Sequence, residues 1–319
     1  MKVSLVITVL NEEKTIGRLL DSLARQTKKP NEIIIVDGGS SDQTVAKIKN
    51  QKLKIKNDKV KLRIFIKKGT SIAAGRNFGI KRARYPIIAM TDAGCVAHSD
   101  WVEKITRPFT LARSGLATPL DVAAGFYQMT GESVFQRCLA CYLGVLPEKL
   151  DLKNFLPSTR SIAFKKEIWE KVEGFNESLS RAGEDTLFNY QAKRVGAKFV
   201  TVPDALVDWE IPKSWRETIK KFYHYAEGDA QALYWPHLKK IGLVFLRYWL
   251  AILLVLLGKL ALVGILGIGY FLWAVGKNYC YVRRRKAILV LPVLQIVSDL
   301  AVMAGFIAGL FKKNYASKA

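Results

Sequence analysis

Three acidic segments carry side chains that could bind a sugar or phosphate compound or assist a reaction on one. Asp37 begins Asp-Gly-Gly-Ser, Asp92 lies in Thr-Asp-Ala-Gly-Cys, and Glu184 directly precedes Asp185. A carboxylate can accept hydrogen bonds from a nucleobase or ribose, hold a divalent ion, or take a proton from an attacking hydroxyl. Each segment alone also has a plainer interpretation, because acids and glycines cap turns and helix N-termini. The order of the segments along the fold therefore matters more than any one of them.

Four short apolar runs, separated by helical patterns, predict the elements that position these acids. Asp37 and Asp92 each follow one of the runs directly. Apolar runs alternating with helices are typical of a mostly parallel sheet covered on both faces. Ligands of such sheets bind beyond the carboxyl ends of the strands, so we expect both acids at one ligand-binding edge. The predicted strands are Val3–Val9, Glu32–Val36, Leu62–Ile66 and Ile87–Met90, and the predicted helices are Thr15–Arg25, Ser41–Ile48 and Ala73–Arg82.

Two common nucleotide-binding signatures are absent from the sequence. The first predicted strand ends in Thr-Val-Leu-Asn-Glu-Glu at 8–13, where a dinucleotide-binding fold would carry Gly-x-Gly-x-x-Gly. A Walker A loop is missing as well. These absences argue against a dehydrogenase and against a P-loop enzyme.

The order of five motifs resembles one enzyme family. Thr-x-x-Asn-Glu, Val-Asp-Gly-Gly-Ser-x-Asp, Ala-Gly-Arg-Asn-x-Gly and Thr-Asp-Ala-Gly-Cys follow one another within 8–95, and Gly-Glu-Asp-Thr-Leu-Phe stands at 183–188. Together they resemble the family 2 glycosyltransferases, over about residues 1–230. The resemblance implies an α/β fold of the GT-A type, a nucleotide-sugar-binding, Rossmann-like domain. It also implies a nucleotide-diphosphate sugar as the donor.

The resemblance implies roles for individual residues. Asp185 would be the catalytic base, and Glu184 would orient it. Asp92 would match the first acid of an Asp-x-Asp metal motif, Asp37 would contact the base of the donor, and Arg76 would face the nucleotide or its phosphates. The implied donor-binding residues are Thr8, Asn11, Glu12, Asp37, Gly39, Ser40, Arg76, Asn77 and Asp92.

Two departures from the family pattern refine these expectations. Gly94 stands where the second acid of Asp-x-Asp would be, so a divalent cation, Mg²⁺ or Mn²⁺, would keep Asp92 as its one carboxylate ligand and take others from diphosphate and water. The Gln-x-x-Arg-Trp motif of processive synthases is also missing, and residues 220–229 stand in its place. We therefore expect transfer of a single sugar. A non-catalytic nucleotide-sugar binder with a degenerate motif is the alternative.

The expected reaction is a direct displacement at the anomeric carbon with inversion. If the acceptor is a glycan hydroxyl, Asp185 takes its proton. If the acceptor is a lipid phosphate, such as polyprenyl or dolichyl phosphate, it needs no base, and a cationic clamp matters more. Arg160 is the candidate for that clamp, because a guanidinium suits bidentate phosphate recognition.

The C-terminal residues 231–319 are predicted to form a membrane domain. Three apolar stretches, 241–257, 260–275 and 287–310, predict three transmembrane helices, and a long tilted helix plus a second span is the alternative. Three spans place the basic loop 276–286 on the side of residues 1–230, as the positive-inside rule favours. The N-terminus has too short an apolar run for a signal peptide. We therefore expect a multi-pass protein of the cell membrane with a cytoplasmic catalytic domain.

The net charge of +23 lies mainly in two patches. Residues 47–84 carry fourteen Lys or Arg against one acid, and residues 230–319 carry twelve against one. Nucleic-acid binding is not expected, because the basic stretch 47–68 has only Phe65 as an aromatic stacking platform. The charge indicates membrane lipids and a diphosphate donor as partners.

Overall fold

The described residues form a sheet of eight strands, with helices before, between and after them. The structure, a computed structural model, describes residues 1–55, 60–115, 119–179, 182–233 and 235–312, without the side chains of 52–55, 235 and 236. The strands are β1 (Val3–Val9), β2 (Glu32–Asp37), β3 (Lys61–Ile66), β4 (Ile87–Met90), β5 (Cys95–Ala97), β6 (Val122–Thr130), β7 (Ile162–Lys165) and β8 (Phe199–Glu210). The helices are α1 (Ile16–Ala24), α2 (Thr44–Ile55), α3 (Ile72–Arg82), α4 (Trp101–Arg113), α5 (Val134–Leu143), α6 (Lys166–Lys171), α7 (Glu184–Arg194), α8 (Trp215–Ala232), α9 (Trp235–Leu256), α10 (Leu260–Val282) and α11 (Ala287–Phe311).

The sheet is parallel in its N-terminal half only. Its order is β3-β2-β1-β4-β7-β6-β8-β5. β1 pairs in parallel with β2 and β4, and β2 with β3, whereas β4 with β7, β6 with β7, and β5 with β8 are antiparallel. The four predicted strands are confirmed within a residue at each end. The prediction of a mostly parallel sheet is wrong beyond β4, where the chain returns to the sheet in antiparallel strands.

The register of the parallel strands explains why the acids gather at one edge. Val9, the last residue of β1, lies opposite Asp37, the last residue of β2. On the other side of β1, Val6 lies opposite Met90, so Asp92 follows at the same edge. Strand β7 brings a further loop there, because Met90 lies opposite Ile162 in the antiparallel pairing. The carboxyl ends of β1, β2 and β4 and the start of β7 thus share one edge of the sheet.

Helix α3 packs on the sheet at very short range. A Cβ atom on Gly79 would lie 2.6 Å from a methyl of Val6, and one on Gly75 would lie 3.1 Å from the methyl of Thr8. Only glycine allows the helix to approach β1 this closely. The approach fixes the position of Arg76, which lies between these two glycines and is buried.

The chain divides into two compact units. One comprises Met1–Gln128, Leu150–Ser180 and Glu184–Glu210, and the other comprises Met129–Lys149, Arg181–Gly183 and Ile211–Ala319. The first contains nearly the whole sheet. The second contains α5 and α8 together with the three C-terminal helices. The second unit therefore includes residues earlier in the chain than 231, where composition places the start of the membrane domain.

In the second unit, α8 lies directly against α11. A Cβ atom on Gly305 would lie 2.1 Å from the carbonyl oxygen of Tyr223, and one on Gly309 would lie 2.6 Å from that of Glu227. Asp299 of α11 also accepts hydrogen bonds from Arg247 of α9 and Tyr270 of α10. Small residues and one buried carboxylate thus hold the helices of this unit together.

Two of the C-terminal helices, Leu260–Val282 and Ala287–Phe311, are long and apolar enough to cross a membrane by length and composition. They correspond to the predicted spans at 260–275 and 287–310. The predicted span at 241–257 corresponds to the C-terminal part of α9, which also carries Lys239, Lys240 and Arg247 and is not long and apolar enough to cross by the same measure. Helix α9 ends just before Gly258, whose φ of +68° is the left-handed conformation of a helix terminus. The predicted break between the first two helices is therefore present.

Candidate active site

A buried arginine connects the acids at the carboxyl edge of the sheet. Arg76 is 1% exposed. Its Nη1 donates to Oε1 of Glu184, its Nη2 donates to Oδ1 of Asp92 at 3.1 Å, and the same Nη2 donates to Oγ1 of Thr159 at 2.6 Å. Four segments far apart in sequence, helix α3, the loop after β4, the loop before β7 and the start of α7, therefore meet at one guanidinium. A buried arginine is normally paired in this way, because an isolated buried charge is very costly.

The charges of this cluster reinforce one another. Burial disfavours the charged form of Arg76, but Glu184, Asp92 and Asp185 outweigh it and raise the pKa of the guanidinium above its ordinary value. Burial also raises the pKa of Glu184, opposed by Arg76 and reinforced by Asp185. Arg76 thus stays charged, and Asp185 is near enough to both side chains to act on them. The structure brings together four of the predicted site residues: Arg76, Asp92, Glu184 and Asp185.

Glu184 and Asp185 open helix α7, where an acid also interacts favourably with the helix dipole. Glu184 is 5% exposed, whereas Asp185 is only half-buried and accepts the backbone N–H of Thr186 through Oδ1 at 2.8 Å. The two acids therefore differ in accessibility. Glu184 is enclosed with Arg76, and Asp185 is the one that a substrate can reach.

The loops that follow β1 and β2 are bonded to each other. The backbone N–H of Asn11 donates to Oγ of Ser40 at 2.8 Å, and Oδ1 of Asn11 accepts from the N–H of Ser41 at 2.9 Å. Asn11 has a φ of +55°, a conformation that asparagine tolerates better than most residues. These bonds give the edge of the sheet a fixed shape at the positions predicted to bind the donor.

Asp37 shapes its own loop. Its side chain is fully buried, Oδ1 accepts the N–H groups of Gly39 and Ser40 at 2.8 Å each, and Oδ2 accepts the hydroxyl of Ser40 at 2.6 Å. Gly39 supplies the left-handed φ of +100° that this turn requires. The carboxylate is directed into the turn, and its contact with the base of the donor stays a prediction.

The side-chain amide of Asn77 is also hydrogen-bonded within the protein. Its Nδ2 donates to the carbonyl of Phe175 at 2.8 Å and to Glu177 at 2.9 Å, and its Oδ1 accepts from Trp169 and from the N–H of Phe175 at 2.9 Å each. The side chain is 5% exposed. Its amide anchors the segment after α6 to α3, and its contact with the nucleotide or its phosphates stays a prediction.

Thr8 and Glu12 lie where the sequence predicts them, at and just after the end of β1. Thr8 is half-buried against α3, and the N–H of Glu12 donates to Oγ1 of Thr44 at 2.7 Å. Their contact with the donor stays a prediction.

Arg160 lies on the ring of Trp209. Its guanidinium carbon is 3.8 Å from that ring centroid and 5.3 Å from the centroid of Tyr127. Burial raises the pKa of the Cys95 thiol to about 12, with Asp92 adding to the shift and Arg160 opposing it. Arg160 therefore places a positive charge near the carboxyl edge of the sheet, held there by cation–π contacts. Its predicted role as a phosphate clamp stays a prediction.

The donor set at the edge suits a divalent ion only if that ion brings most of its own ligands. Among the residues that the structure describes, no three His, Cys, Asp or Glu side chains are grouped to hold a metal. Asp92 offers a carboxylate that is 31% exposed. Arg76, however, pairs with the carboxylates of Asp92 and Glu184, and the nearby Asp185 acts on the same guanidinium, an excess of two negative charges when all three acids are ionised. That excess favours a cation beside Asp92, completed by diphosphate oxygens and water.

Thr159 is a member of the cluster that the sequence motifs did not identify. It is 2% exposed and contacts both Arg76 and Asp92. It lies in the loop before β7, and its proximity to Asp92 follows from the antiparallel pairing of β7 with β4. No motif includes it, and its one signal in the sequence was its place beside Arg160.

Comparison with solved structures identifies the fold. The mannosyltransferase PcManGT from Pyrobaculum calidifontis, solved with GDP-Man and Mn²⁺, matches with a TM-score of 0.70 at 16% identity, over 98% of this chain and 88% of that one. S. aureus TarS, solved with UDP, matches with a TM-score of 0.50 at 19% identity, over 71% of this chain. The match spans 64% of that TarS chain, less than two thirds of its length. The fold is GT-A, that of glycosyltransferases that use nucleotide-sugar donors.

Sequence comparison supplies the family. Residues 4–119 match the family model described as Glycosyl transferase family 2. Glycosyltransferase AglE of Haloferax volcanii is 25% identical over 234 residues, 72% of this chain and 73% of AglE. The O-antigen chain rhamnosyltransferase RfbN of Salmonella typhimurium is 25% identical over 237 residues, 70% of this chain and 71% of RfbN. Residues 4–119 thus form a glycosyltransferase family 2 domain. The predicted fold and enzyme class are confirmed, and the non-catalytic alternative is left without support.

Proposed function

We propose that this family 2 glycosyltransferase is membrane-bound and moves one sugar, with inversion, from a nucleotide-diphosphate sugar to a lipid-linked or glycan acceptor. The observation that carries the proposal is the cluster of Asp92, Glu184 and Asp185 around buried Arg76 at the carboxyl edge of the sheet. It offers an exposed carboxylate on one segment and a second accessible carboxylate on another. A single displacement by a hydroxyl uses two such groups, one beside the leaving group and one beside the attacking group.

In the proposed reaction, Asp185 takes the proton of an acceptor hydroxyl as its oxygen attacks the anomeric carbon. The bond from that carbon to the diphosphate oxygen breaks, and the nucleoside diphosphate leaves. General-base catalysis of this kind contributes roughly 100- to 10,000-fold to rate. Glu184 remains paired with Arg76 and thereby keeps the start of α7, and Asp185 with it, in place.

Charge balance supports a divalent cation, Mg²⁺ or Mn²⁺, at Asp92. A diphosphate is anionic, and it would approach a cluster that has an excess of carboxylates. When bound, the ion would neutralise charge that develops on the leaving diphosphate. Asp92 would hold it through one carboxylate, and Arg76 would stay paired behind Asp92.

Arg160 offers a place for the alternative acceptor, an anionic group. Its guanidinium packs on the ring of Trp209. Arg160 and Asp92 both lie close enough to the Cys95 thiol to influence the pKa of that thiol. An acceptor phosphate could be held there by paired hydrogen bonds. A phosphate acceptor is already anionic and would attack the anomeric carbon of the donor without a base. Asp185 would then orient the acceptor. A lipid phosphate also agrees with two helices that are apolar enough to cross a membrane. The proposed orientation keeps the catalytic unit in the cytoplasm, and with α9 as a third span the basic loop before α11 lies on the same side.

The proposal is tested by incubating membranes that contain the full chain with a panel of radiolabelled nucleotide sugars. Labelled products are separated into lipid and water-soluble glycan fractions and identified by mass spectrometry. Label in the lipid fraction supports a lipid-linked acceptor, and label in the glycan fraction supports a hydroxyl acceptor. Hydrolysis of the donor without any transfer product would contradict the proposed function.

A further inference from the structure

We propose that Thr159 is a positioning residue that fixes the carboxylate of Asp92 so that its Oδ2 faces the diphosphate and its cation. The inference rests on the proposed function, because it assigns the donor side of the reaction to Asp92. It concerns a residue that lies outside all five motifs.

The hydrogen-bond donors and acceptors of the cluster determine where the hydroxyl proton of Thr159 points. Nη2 of Arg76 has two hydrogens, one directed to Thr159 at 2.6 Å and one to Asp92 at 3.1 Å. A guanidinium has no acceptor, so the hydroxyl proton of Thr159 cannot return to Arg76. It is donated to Oδ1 of Asp92 at 3.2 Å. Oδ1 thus accepts two hydrogen bonds from a buried pair of side chains.

Two bonds to the same oxygen fix the plane of the Asp92 carboxylate and select which oxygen is presented. Arg76 and Thr159 are 1% and 2% exposed, whereas the Asp92 side chain is 31% exposed. The buried partners hold Oδ1 on the inner side, so the exposed part of the carboxylate is the side of Oδ2. Without Thr159, Asp92 would keep one bond to Arg76 and could rotate about its last side-chain torsion, which is intrinsically broad.

This fixation matters more here because Gly94 stands at the second position of the Asp-x-Asp pattern. With two carboxylates, either could compensate for a misplaced partner. With Asp92 alone, the orientation of one oxygen determines how well a cation is held between protein and diphosphate. The hydrogen bonds among Thr159, Arg76 and Asp92 would then partly compensate for the missing second acid.

The test compares Thr159→Val, which keeps the shape and removes the hydroxyl, with Thr159→Ser, which keeps the hydroxyl. Binding of UDP and of GDP to the full chain is measured by calorimetry with Mn²⁺ and with chelator. Thr106→Val is the matched control, because Thr106 is equally buried and its hydroxyl donates to the helix carbonyl of Val102 at 2.7 Å.

We expect Thr159→Val to weaken Mn²⁺-dependent nucleotide binding about tenfold, as loss of a hydrogen bond to a charged group predicts. Binding in chelator should be unchanged, and Thr159→Ser and Thr106→Val should bind like the wild type. Wild-type affinity of Thr159→Val with Mn²⁺ would overturn the inference. So would an equal loss with and without Mn²⁺, which would indicate a general structural role.

The outcome is separable from that of the proposed function. Nucleotide binding does not require turnover, so these comparisons remain decisive even if the wild type transfers no sugar. Absence of transfer by a wild type that binds nucleotide would refute the proposed reaction alone. Wild-type transfer combined with unchanged binding by Thr159→Val would refute the positioning role alone.

Discussion

At the scale of single residues, the site depends on which side chains the protein itself has already engaged. Asp37 and Asn77 belong to the motifs, yet the side chain of each is hydrogen-bonded to neighbouring backbone or side-chain groups. Asp92 is engaged at one oxygen, and Asp185 receives one short-range backbone bond and stays half-buried. Within the motifs, some side chains are thus buried and hydrogen-bonded inside the protein, whereas Asp92 and Asp185 stay partly exposed.

Replacing Asp92 by Asn tests the donor side of the site. The amide keeps the size of the side chain but removes the charge that would hold a cation against the diphosphate. We expect turnover to fall roughly 100-fold or more, since electrostatic groups at a leaving group contribute on that scale. Melting temperature should change little. Full turnover of Asp92→Asn, measured at saturating donor, would exclude the assigned role.

Replacing Asn77 by Ala tests the opposite assignment. Four hydrogen bonds of a buried amide would be lost, and the Trp169 indole and Phe175 N–H would lose their acceptor. We expect destabilisation of about 3 kcal/mol, with the KM for donor unchanged in the folded fraction. Denaturant unfolding and donor kinetics measure the two quantities. The exposed Asn154→Ala is the control. A raised donor KM without loss of stability would restore Asn77 to the nucleotide site.

The sequence identified the acids that meet at Arg76, because their order along the chain is itself the signal. It did not reveal that Asp37 is buried in its turn, since a turn-forming and a ligand-binding carboxylate have the same local sequence. Thr159 could not be found from any pattern. Its role arises from the antiparallel pairing of β7 with β4, a contact between segments about seventy residues apart.

At the scale of elements, the parallel strands were predictable because each is a continuous apolar run between two helices. Strands β5 to β8 were not, for two physical reasons. β5 has three residues, too few for a periodic pattern, and β8 contains Pro203 and Asp204 in the middle of its twelve residues. Their pairing is set by tertiary contacts, which local propensity does not encode.

The close approach of α3 to β1 gives a prediction at this scale. In Gly79→Ala, the new methyl would lie 2.6 Å from Val6 and 3.3 Å from Val36. Overpacking of this kind should destabilise the protein by about 1–3 kcal/mol and shift Arg76 with the helix. Gly17→Ala, in helix α1 with no atom within 4 Å of the new methyl, should be neutral or slightly stabilising. Equal unfolding free energies for the two variants would contradict the packing described.

The contact between α8 and the end of α11 predicts a pH dependence. Burial opposes ionisation of Glu227, but hydrogen bonds from Lys312 and His224 prevail and hold its pKa below the ordinary value. A lowered pKa means that the ion pair stabilises the fold above the unfolded carboxyl's pKa of about 4.3. That stabilisation is lost as pH falls through the lowered pKa of the folded state.

Glu227→Gln should therefore cost about 2 kcal/mol at neutral pH and much less in acid. Thermal unfolding of wild type and variant in detergent, from pH 7 down to pH 3, measures the difference. The two curves should converge as the pH falls below about 4. A difference that stays constant over this range would show that the ion pair does not stabilise α8 against α11.

At the scale of the whole molecule, the charge of +23 and the apolar C-terminal helices agree with the proposed attachment to a membrane. The basic loop before α11 separates the two helices that are apolar enough to cross. The sequence predicted three spans. Among the described helices, α10 and α11 are long and apolar enough to cross a membrane, whereas α9 carries the charged residues Lys239, Lys240 and Arg247. Composition located these helices well, and their packing against α5 and α8 emerged only from the structure.

Membrane extraction tests the proposed anchoring. If α10 and α11 cross the bilayer, the full chain should remain in the membrane pellet after washing with 1 M salt and after alkaline carbonate, since about 20 apolar residues suffice to anchor a helix. Release by detergent alone is the expected pattern. Release by salt would show that the basic patches, rather than the helices, hold the protein at the surface.

The central claim is that this chain transfers sugar with Asp185 as its catalytic carboxylate, and one measurement tests it most directly. Initial rates of transfer from the accepted nucleotide sugar are compared for the wild type and Asp185→Asn, both confirmed to be folded and to bind the nucleotide. We predict that Asp185→Asn binds the nucleotide normally and transfers sugar at least about 100-fold more slowly. Transfer by Asp185→Asn at the wild-type rate would contradict the account.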